Sequence, residues 1–414
     1  MDRISAATLA SGATLITENI PGMKSVGLTW LVPVGVAREP MDRLGSSAMW
    51  SELLLRGSTD LDSRQQADAF DALGASRGTK SETFFQSISA TLLGSHLEEA
   101  LPLITDMVLR PRMDDDAIEP SRDLCIQSIE SLADDPQGRV MHILREKHAA
   151  PPINRSSLGT IEGLRAINAV ELRADWRRLA LPGGSIFAIA GDVDHNQAAD
   201  WLNTLLRNWS GVASTVEWSD ASRVRGVHHE HDDTNQVHIA IAHDAPAEPS
   251  PDAWPERLVT AVLSGGMSGR LFTEVREKRS LCYSVWASYG TDARYGRTIA
   301  YVGTTPERAQ ESIDVLMHEL RKINTPQGRI TQDEFRRAVA GMKSRLVFSG
   351  ESTGARASAL AHDWHKLGGA RSLDELAAAV DALTLSAVND YLARRSLGDI
   401  TCVSLGPAPL QFPG

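Results

Sequence analysis

Few stretches of this chain carry side chains able to bind a metal or move a proton, and type and spacing decide each one. His228–Asp233, HHEHDD, is the richest in metal-ligating groups. It has neither helical nor hairpin spacing and stands just before a strand-like run, so it reads as a solvated linker rather than a metal site. His362 and His365 lie three apart on a predicted helix with no third ligand identified, and read as structural. Cys125, Cys282 and Cys402 are scattered, with no disulfide framework and no paired metal spacing. Asp134-Asp135-Pro136 is most simply a helix stop.

Two other stretches are more specific. Leu44–Ser58, LGSSAMWSELLLRGS, has the flanking glycines and rhythm of a metal-binding helix but contains no histidine. Its one carboxylate, Glu52, cannot hold a catalytic zinc, which normally has three protein ligands. Residues 264–285, SGGMSGRLFTEVREKRSLCYSV, place Arg276 and Tyr283 seven apart behind a glycine-rich turn. A guanidinium offers carbonyl oxygens a rigid fork of donors, and a phenol offers one donor to a developing negative oxygen. In isolation the first would be a solvated helix charge and the second a strand aromatic. Gly265, Gly266 and Gly269 permit positive φ and close backbone approach, while the GK[ST] ending of a phosphate loop is missing.

The elements that must position these residues repeat. SVGLTWLVPVG, with Val26, Leu28, Trp30 and Val32 alternating, is echoed by QVHIAIAHDAP, with Val237, Ile239 and Ile241, and period-two spacing marks half-buried strands. A second echo joins Ala166–Val193 to Ala382–Pro407: a helix carrying Trp176 or Tyr391, a glycine turn, then a β-rich run closed by Gly191 or Gly406. The offsets agree, at about 211 and about 215 residues. The spacing predicts two similar domains, 1–212 and 227–414, with periodicity lost over 209–226. Residues 80–93 read as strand, 95–108 and 119–133 as helices. Mixed elements without strict alternation predict an α+β sheet with helices packed on one side.

A chain of 414 residues exceeds one ordinary core, in keeping with two domains. A net charge of -11 argues against nucleic acid as the main partner. No apolar run approaches the roughly 20 residues that cross a bilayer. The start lacks a basic region followed by a sustained apolar one. With the scattered cysteines, this leads us to expect a cytoplasmic protein that does not engage membranes.

With these residues in view, the chain resembles the inverzincin metallopeptidases, the pitrilysin and insulinase family that includes the mitochondrial processing peptidases. Their zinc helix is framed as G-x-x-H-x-x-E-H-x-x-x-x-G-[ST]. Here the frame survives from Gly45 to Gly57-Ser58, but Ala48 and Glu52 stand at the histidine positions and Ser51 at the general-base glutamate. The third ligand, roughly 76 residues beyond the second histidine, falls on Ser128, within SRDLCIQSIESLADDP. The 264–285 stretch is similar to the family's other signature, S-x-R-L-F followed by R-E-x-x-x-L-x-Y-S.

The resemblance implies two homologous α/β domains of the processing-peptidase type, related by internal duplication. It further implies that Arg276 and Tyr283, with Gly265, Gly266 and Ser268 in the adjoining turn, bind substrate, and that no catalytic residue or metal belongs to this chain. Zinc is then expected in a homologous partner subunit carrying H-x-x-E-H, with unstructured peptides as substrates and a dimer as the working form. An extended peptide would add to an exposed sheet edge, for which the strand beginning near Thr79 is a candidate. The competing expectations are a homodimeric peptide-binding scaffold without proteolytic role, and a self-sufficient hydrolase using some other site.

Overall fold

A computed structural model describes residues 4–218 and 224–413. The first half of the chain opens with β1 (Ile4–Thr8), β2 (Thr14–Asn19), β3 (Ser25–Val32) and α1 (Ser46–Leu53). A two-residue ribbon, β4 (Gly57–Ser58) and β5 (Leu61–Asp62), leads to α2 (Ser63–Ala72), β6 (Ser76–Ser81) and β7 (Gln86–Leu93). Next come α3 (Leu97–Leu109), α4 (Asp115–Glu130), α5 (Pro136–His148), α6 (Ile161–Ala166), α7 (Ala169–Leu179), β8 (Ile186–Gly191) and α8 (His195–Leu205). The second half begins with β9 (Gly226–His231), β10 (Val237–Ala245), α9 (Ala253–Ser264), β11 (Cys282–Thr291) and β12 (Gly296–Thr304). It ends with α10 (Ala309–Lys322), α11 (Gln332–Gly350), α12 (Thr353–Leu367), α13 (Leu373–Asp381), α14 (Leu385–Arg394) and β13 (Thr401–Gly406).

Two sheets share one topology. The first runs β6-β7-β3-β8-β2-β1, the second β11-β12-β10-β13-β9. Down each list the neighbours are antiparallel until the parallel pairs β8–β2 and β13–β9. β3 therefore corresponds to β10 and β8 to β13, the two strand pairs that echo in the sequence. Only β1, on the far edge of the first sheet, lacks a counterpart.

By packing, the chain divides into two compact units that do not follow the contiguous 1–212 and 227–414 division. One comprises Met1–Ser131, Pro151–Asp220 and Ser349–Ser372; the other comprises Leu132–Ala150, Ala221–Phe348 and Leu373–Gly414. Thus α5 of the first half belongs to the second unit, and α12 of the second half to the first. Each covers the sheet face opposite the main helical layer, so the expectation of helices on one side is corrected to one layer plus a single helix behind. On α5, Val140 and Leu144 lie one turn apart and pack on Ala240, Ala242, Val403 and Leu405. On α12, Ala357, Leu360 and Ala361 pack on Leu31, Ile186, Ala188 and Ala190.

Small residues set how closely α12 approaches. A Cβ at Gly27 of β3 would sit 2.3 Å from the backbone of Thr353 and Gly354, so only glycine fits. Arg356 of α12 and Glu18 of β2 form a buried ion pair, and Arg356 also donates to the Arg371 carbonyl at 2.6 Å. The opposite face carries the larger core, where Trp30, Trp50, Phe70, Trp176 and Phe187 are all buried. Burying each such side chain stabilises the unit by about 2–3 kcal/mol. In the second unit the matching core joins Val262 and Leu263 of α9 to Leu316 and Leu320 of α10.

Two local expectations change. Residues 80–93 are not one strand: β6 ends at Ser81, and the Glu82 N–H donates to the Phe85 carbonyl at 2.8 Å to close a hairpin. His228–His231 is not linker but part of β9, parallel to β13 at the sheet's edge. Its polar groups are occupied within the unit: Glu230 and Asp232 both pair with Arg139, and His229 bonds the Ser404 hydroxyl at 3.0 Å.

Candidate functional site

α1 begins at Gly45, whose φ of +117° is open to glycine and strained for other residues. A glycine has no side chain to cap the helix, and Glu39 does so from outside: its carboxylate accepts from the N–H groups of Gly45 at 3.0 Å and Ser47 at 2.6 Å. Burial pushes the Glu39 carboxyl up, against the pull of those N–H groups and of nearby Arg155. Met49, Trp50 and Leu53 face the core, and the Trp50 indole N–H donates to the Leu172 carbonyl at 3.2 Å.

Ala48, Ser51 and Glu52 lie on the other face, half-buried, at the i, i+3, i+4 positions that share one side of a helix. The Ser51 hydroxyl donates to the Ser47 carbonyl at 3.1 Å and accepts from Gln86 Nε2 at 2.6 Å. Thr79 Oγ1 donates to the Ser51 carbonyl at 2.7 Å, tying β6 to α1. Glu52 stands near Cys125 of α4, whose thiol burial pushes up to about 12, with the Glu52 charge adding to the rise. Ser128 is exposed, and its hydroxyl donates to Leu124 within its own helix at 2.8 Å. A methyl group, one carboxylate and two hydroxyls already engaged do not fit a zinc ion, which takes nitrogen, sulfur or carboxylate donors. Among the described residues no three histidine, cysteine or carboxylate groups are arranged to hold a metal.

The second unit is built differently at the corresponding place. α9 ends at Gly265, where a Cβ would lie 2.2 Å from the Ala261 carbonyl oxygen, and Gly266 follows at φ +130°. Gly265, Ser268 and Gly269 face Arg337 and Arg345 of α11 across a cavity of about 30 Å³, room for about two waters. Arg270 anchors the turn: Nε and Nη2 donate to Glu334 at 2.7 and 2.9 Å, and Nη1 to the Gly328 carbonyl at 2.7 Å. Glu334 also accepts from the Thr331 N–H at 2.9 Å while Thr331 Oγ1 accepts from the Glu334 N–H at 3.3 Å, a capping box that starts α11. Burial alone would raise the Glu334 carboxyl, but the Arg270 fork and Thr331 hold it down at about 2.

Phe272–Glu277 is a π-helix, a wider turn that recurs at functional sites. It leads through Ser280, at φ +52°, to Tyr283, the unpaired residue of a bulge where β11 shifts register between Cys282 and Ser284. The bulge turns Tyr283 outward, leaving it 83% exposed. The Arg276 guanidinium lies 4.9 Å from the Phe272 ring centre and 5.3 Å from that of Tyr283, so the structure brings the two sequence-predicted residues together. Neighbouring charges are satisfied locally, since Glu274 takes both Lys278 at 2.7 Å and Arg279 at 2.9 Å. Arg276 has no ion pair among the described residues, and its fork stays available. The Cys282 thiol is raised to about 11 by burial despite the Arg276 charge, which disqualifies it as a thiolate nucleophile at neutral pH.

His362 and His365 do not join either place. His362 Nε2 pairs with Glu82 at 3.0 Å: burial lowers its pKa, but the Glu82 bond and charge leave it above the ordinary value. His365 packs its ring on Phe84 and Phe85, at 5.5 and 4.7 Å between centres. Sequence reasoning missed Phe272, Arg270, Glu334 and Gln86. The first two sit inside the S-x-R-L-F motif itself, and the T-x-x-E spacing of Thr331 and Glu334 was a signal for the third.

Two α+β units of one strand topology, one bearing the histidine-free helix α1 and the other an exposed arginine–tyrosine pair, define the class of chain. Residues 14–160 match the family described as Insulinase (Peptidase family M16), and residues 166–342 match the Peptidase M16 inactive domain. The chain belongs to the insulinase-type peptidase family, M16. An uncharacterized zinc protease of Mycobacterium leprae is 26% identical over 391 residues, covering 92% of this chain and 87% of that protein. The crystal structure of a peptidase M16 inactive domain from Pseudomonas fluorescens has a TM-score of 0.86 at 20% identity, covering 99% of both chains. A chain of complex III2 from Candida albicans has a TM-score of 0.82 at 20% identity, covering 97% of this chain and 96% of that one.

Proposed function

We propose that this chain is the non-catalytic, substrate-binding subunit of a heterodimeric zinc peptidase. The partner, a homologous chain with H-x-x-E-H, supplies the metal, its ligands and the general base, and this chain binds no zinc itself. Arg276 donates to backbone carbonyls of an unstructured peptide, and the Tyr283 hydroxyl donates to the oxygen on which negative charge develops during cleavage. Gly265, Gly266 and Ser268 let the peptide run close to the turn. The observation that carries this reading is the unpaired Arg276 held against Tyr283 on an exposed surface, in a chain whose zinc positions are Ala48, Ser51, Glu52 and Ser128. The test mixes the purified chain with a zinc-motif relative from the same organism and follows cleavage of an unstructured peptide. Cleavage that needs both chains supports the proposal; cleavage by this chain alone after chelation and contaminant controls refutes it.

The second reading is a homodimeric peptide-binding scaffold with no proteolytic role. The unpaired Arg276 beside an exposed Tyr283, in a chain without zinc donors at 48, 51 and 128, suits binding without cleavage equally well. It predicts a stable homodimer whose mixture with any zinc-motif relative stays inactive.

A further inference from the structure

A second concavity lies in the first unit. It is an open cleft of about 320 Å³ walled by the turn at Ala37-Arg38, the Pro151-Pro152 pair, the end of α7 and residues 214–217. That volume falls at the lower end of the range for small-molecule sites. Residues 214–217 belong to the aperiodic stretch 209–226.

The cleft is lined by three guanidinium groups, Arg38, Arg155 and Arg178, against one carboxylate, Glu217. Their commitments differ. Arg155 donates to the carbonyls of Val36, Ala37 and Glu39 at 3.0, 3.2 and 3.0 Å, and so braces the wall. Arg178 pairs with Asp175 at 2.7 Å but keeps most of its side chain in solvent. Arg38 donates to the Ser214 hydroxyl at 3.0 Å and to the Ser214 carbonyl, its Nε is buried without a partner, and it forms no ion pair among the described residues. A guanidinium taken partly out of water with no anion beside it is the arrangement an anionic ligand relieves. Burial indeed holds Arg38 below the ordinary arginine value with no offsetting charge. Pro151, Pro152 and Leu179 add an apolar wall beside these donors.

We propose that this cleft binds a small organic anion, a carboxylate or phosphate head carried on an apolar body, with Arg38 as the principal contact. The head accepts from the Arg38 Nη hydrogens that Ser214 does not take, Arg178 swings in as a second cation, and the body lies on the proline pair and Leu179. This site is independent of peptide binding at Arg276 and stands or falls separately from it.

The test is calorimetric titration of the full chain with phenyl phosphate and with phenylpropionate, using benzyl alcohol as the uncharged control. The expected result is saturable binding of one or both anions tighter than roughly 1 mM and none of the alcohol, the stronger anion identifying the head group. Arg38→Gln should weaken binding at least about tenfold, the range of a lost charge-assisted hydrogen bond. Arg64→Gln, at an exposed position on α2, should leave it unchanged. If Arg38→Gln does not fold, Thr215→Asp, which adds a negative charge to the wall, should weaken binding in its place. Absence of saturable binding by both anions overturns the proposal, as does binding that survives Arg38→Gln or, where that variant is unfolded, Thr215→Asp.

Discussion

Replacing Glu334 by glutamine removes the charge that fixes the glycine turn from behind. In the folded chain this carboxylate holds the Arg270 fork and the capping box of α11, and its pKa falls from the ordinary 4.5 to about 2. That gap corresponds to at most about 3–3.5 kcal/mol of stabilisation at neutral pH. The side chain keeps 18% of its surface in solvent, and glutamine retains part of the hydrogen bonding, so the expected loss is about 1.5–2 kcal/mol. The sign follows from a depressed folded pKa. The stabilisation is complete above 4.5, where the carboxyl ionises even in the unfolded chain, and fades as pH falls through about 2. At pH 3 more than half should be gone, and the difference between the native chain and Glu334→Gln should shrink accordingly. Because two units need not unfold together, the assay is hydrogen exchange in peptides from the first turn of α11 and from residues 264–271, with urea midpoints at pH 7 and pH 3. A difference that is absent at pH 7, or that persists undiminished at pH 3, would refute the argument.

Other perturbations test the packing and the proposed loss of metal ligands on α1. Arg356→Ala leaves Glu18 buried without its partner and should destabilise the first unit by about 3–5 kcal/mol, read as a lowered thermal midpoint. Gly27→Ala drives a Cβ into the α12 backbone and should lower the same midpoint through a loss of about 2–3 kcal/mol. Restoring donors by Ala48→His, Glu52→His and Ser128→Glu together should create zinc binding tighter than about 1 μM by competition titration, while Glu52→His alone should not. Glu82→Gln should remove a pH-dependent contribution of under about 1 kcal/mol. With the His362 pKa raised, that contribution is fully present below pH 6.5 and disappears as pH rises through the folded value, which urea midpoints at pH 6 and pH 8 would register.

Much of this architecture was legible because the duplication repeats strand alternation. Val26, Leu28 and Trp30 against Val237, Ile239 and Ile241 located the central strand of each sheet, and the Trp176 and Tyr391 helices located the strand beside it. The exchange of α5 and α12 was not legible. Amphipathic spacing says which face of a helix is apolar, not which sheet that face will cover, and Val140 and Leu144 would suit either. The hairpin turn at 82–85 was hidden because Phe84 and Phe85 have strand-forming side chains and the turn contains neither glycine nor proline. HHEHDD lacked apolar alternation because β9 is an edge strand whose side chains bond Ser404 and Arg139 rather than entering a core. At the site, the resemblance to the family's two motifs is what pointed to Ala48, Ser51, Glu52, Ser128, Arg276 and Tyr283. The π-helix and the bulge at Tyr283 that bring the last two together are backbone features with no residue signature of their own.

The most direct measurement is the kcat/KM of the two-chain mixture when this chain carries Arg276→Ala or Tyr283→Phe, alongside co-elution of the two chains. If this chain supplies the peptide clamp, each variant should still assemble with the zinc-bearing partner while kcat/KM falls by about 10²-fold, equivalent to roughly 2.7 kcal/mol of lost transition-state stabilisation. Undiminished cleavage by an assembled variant would contradict the account.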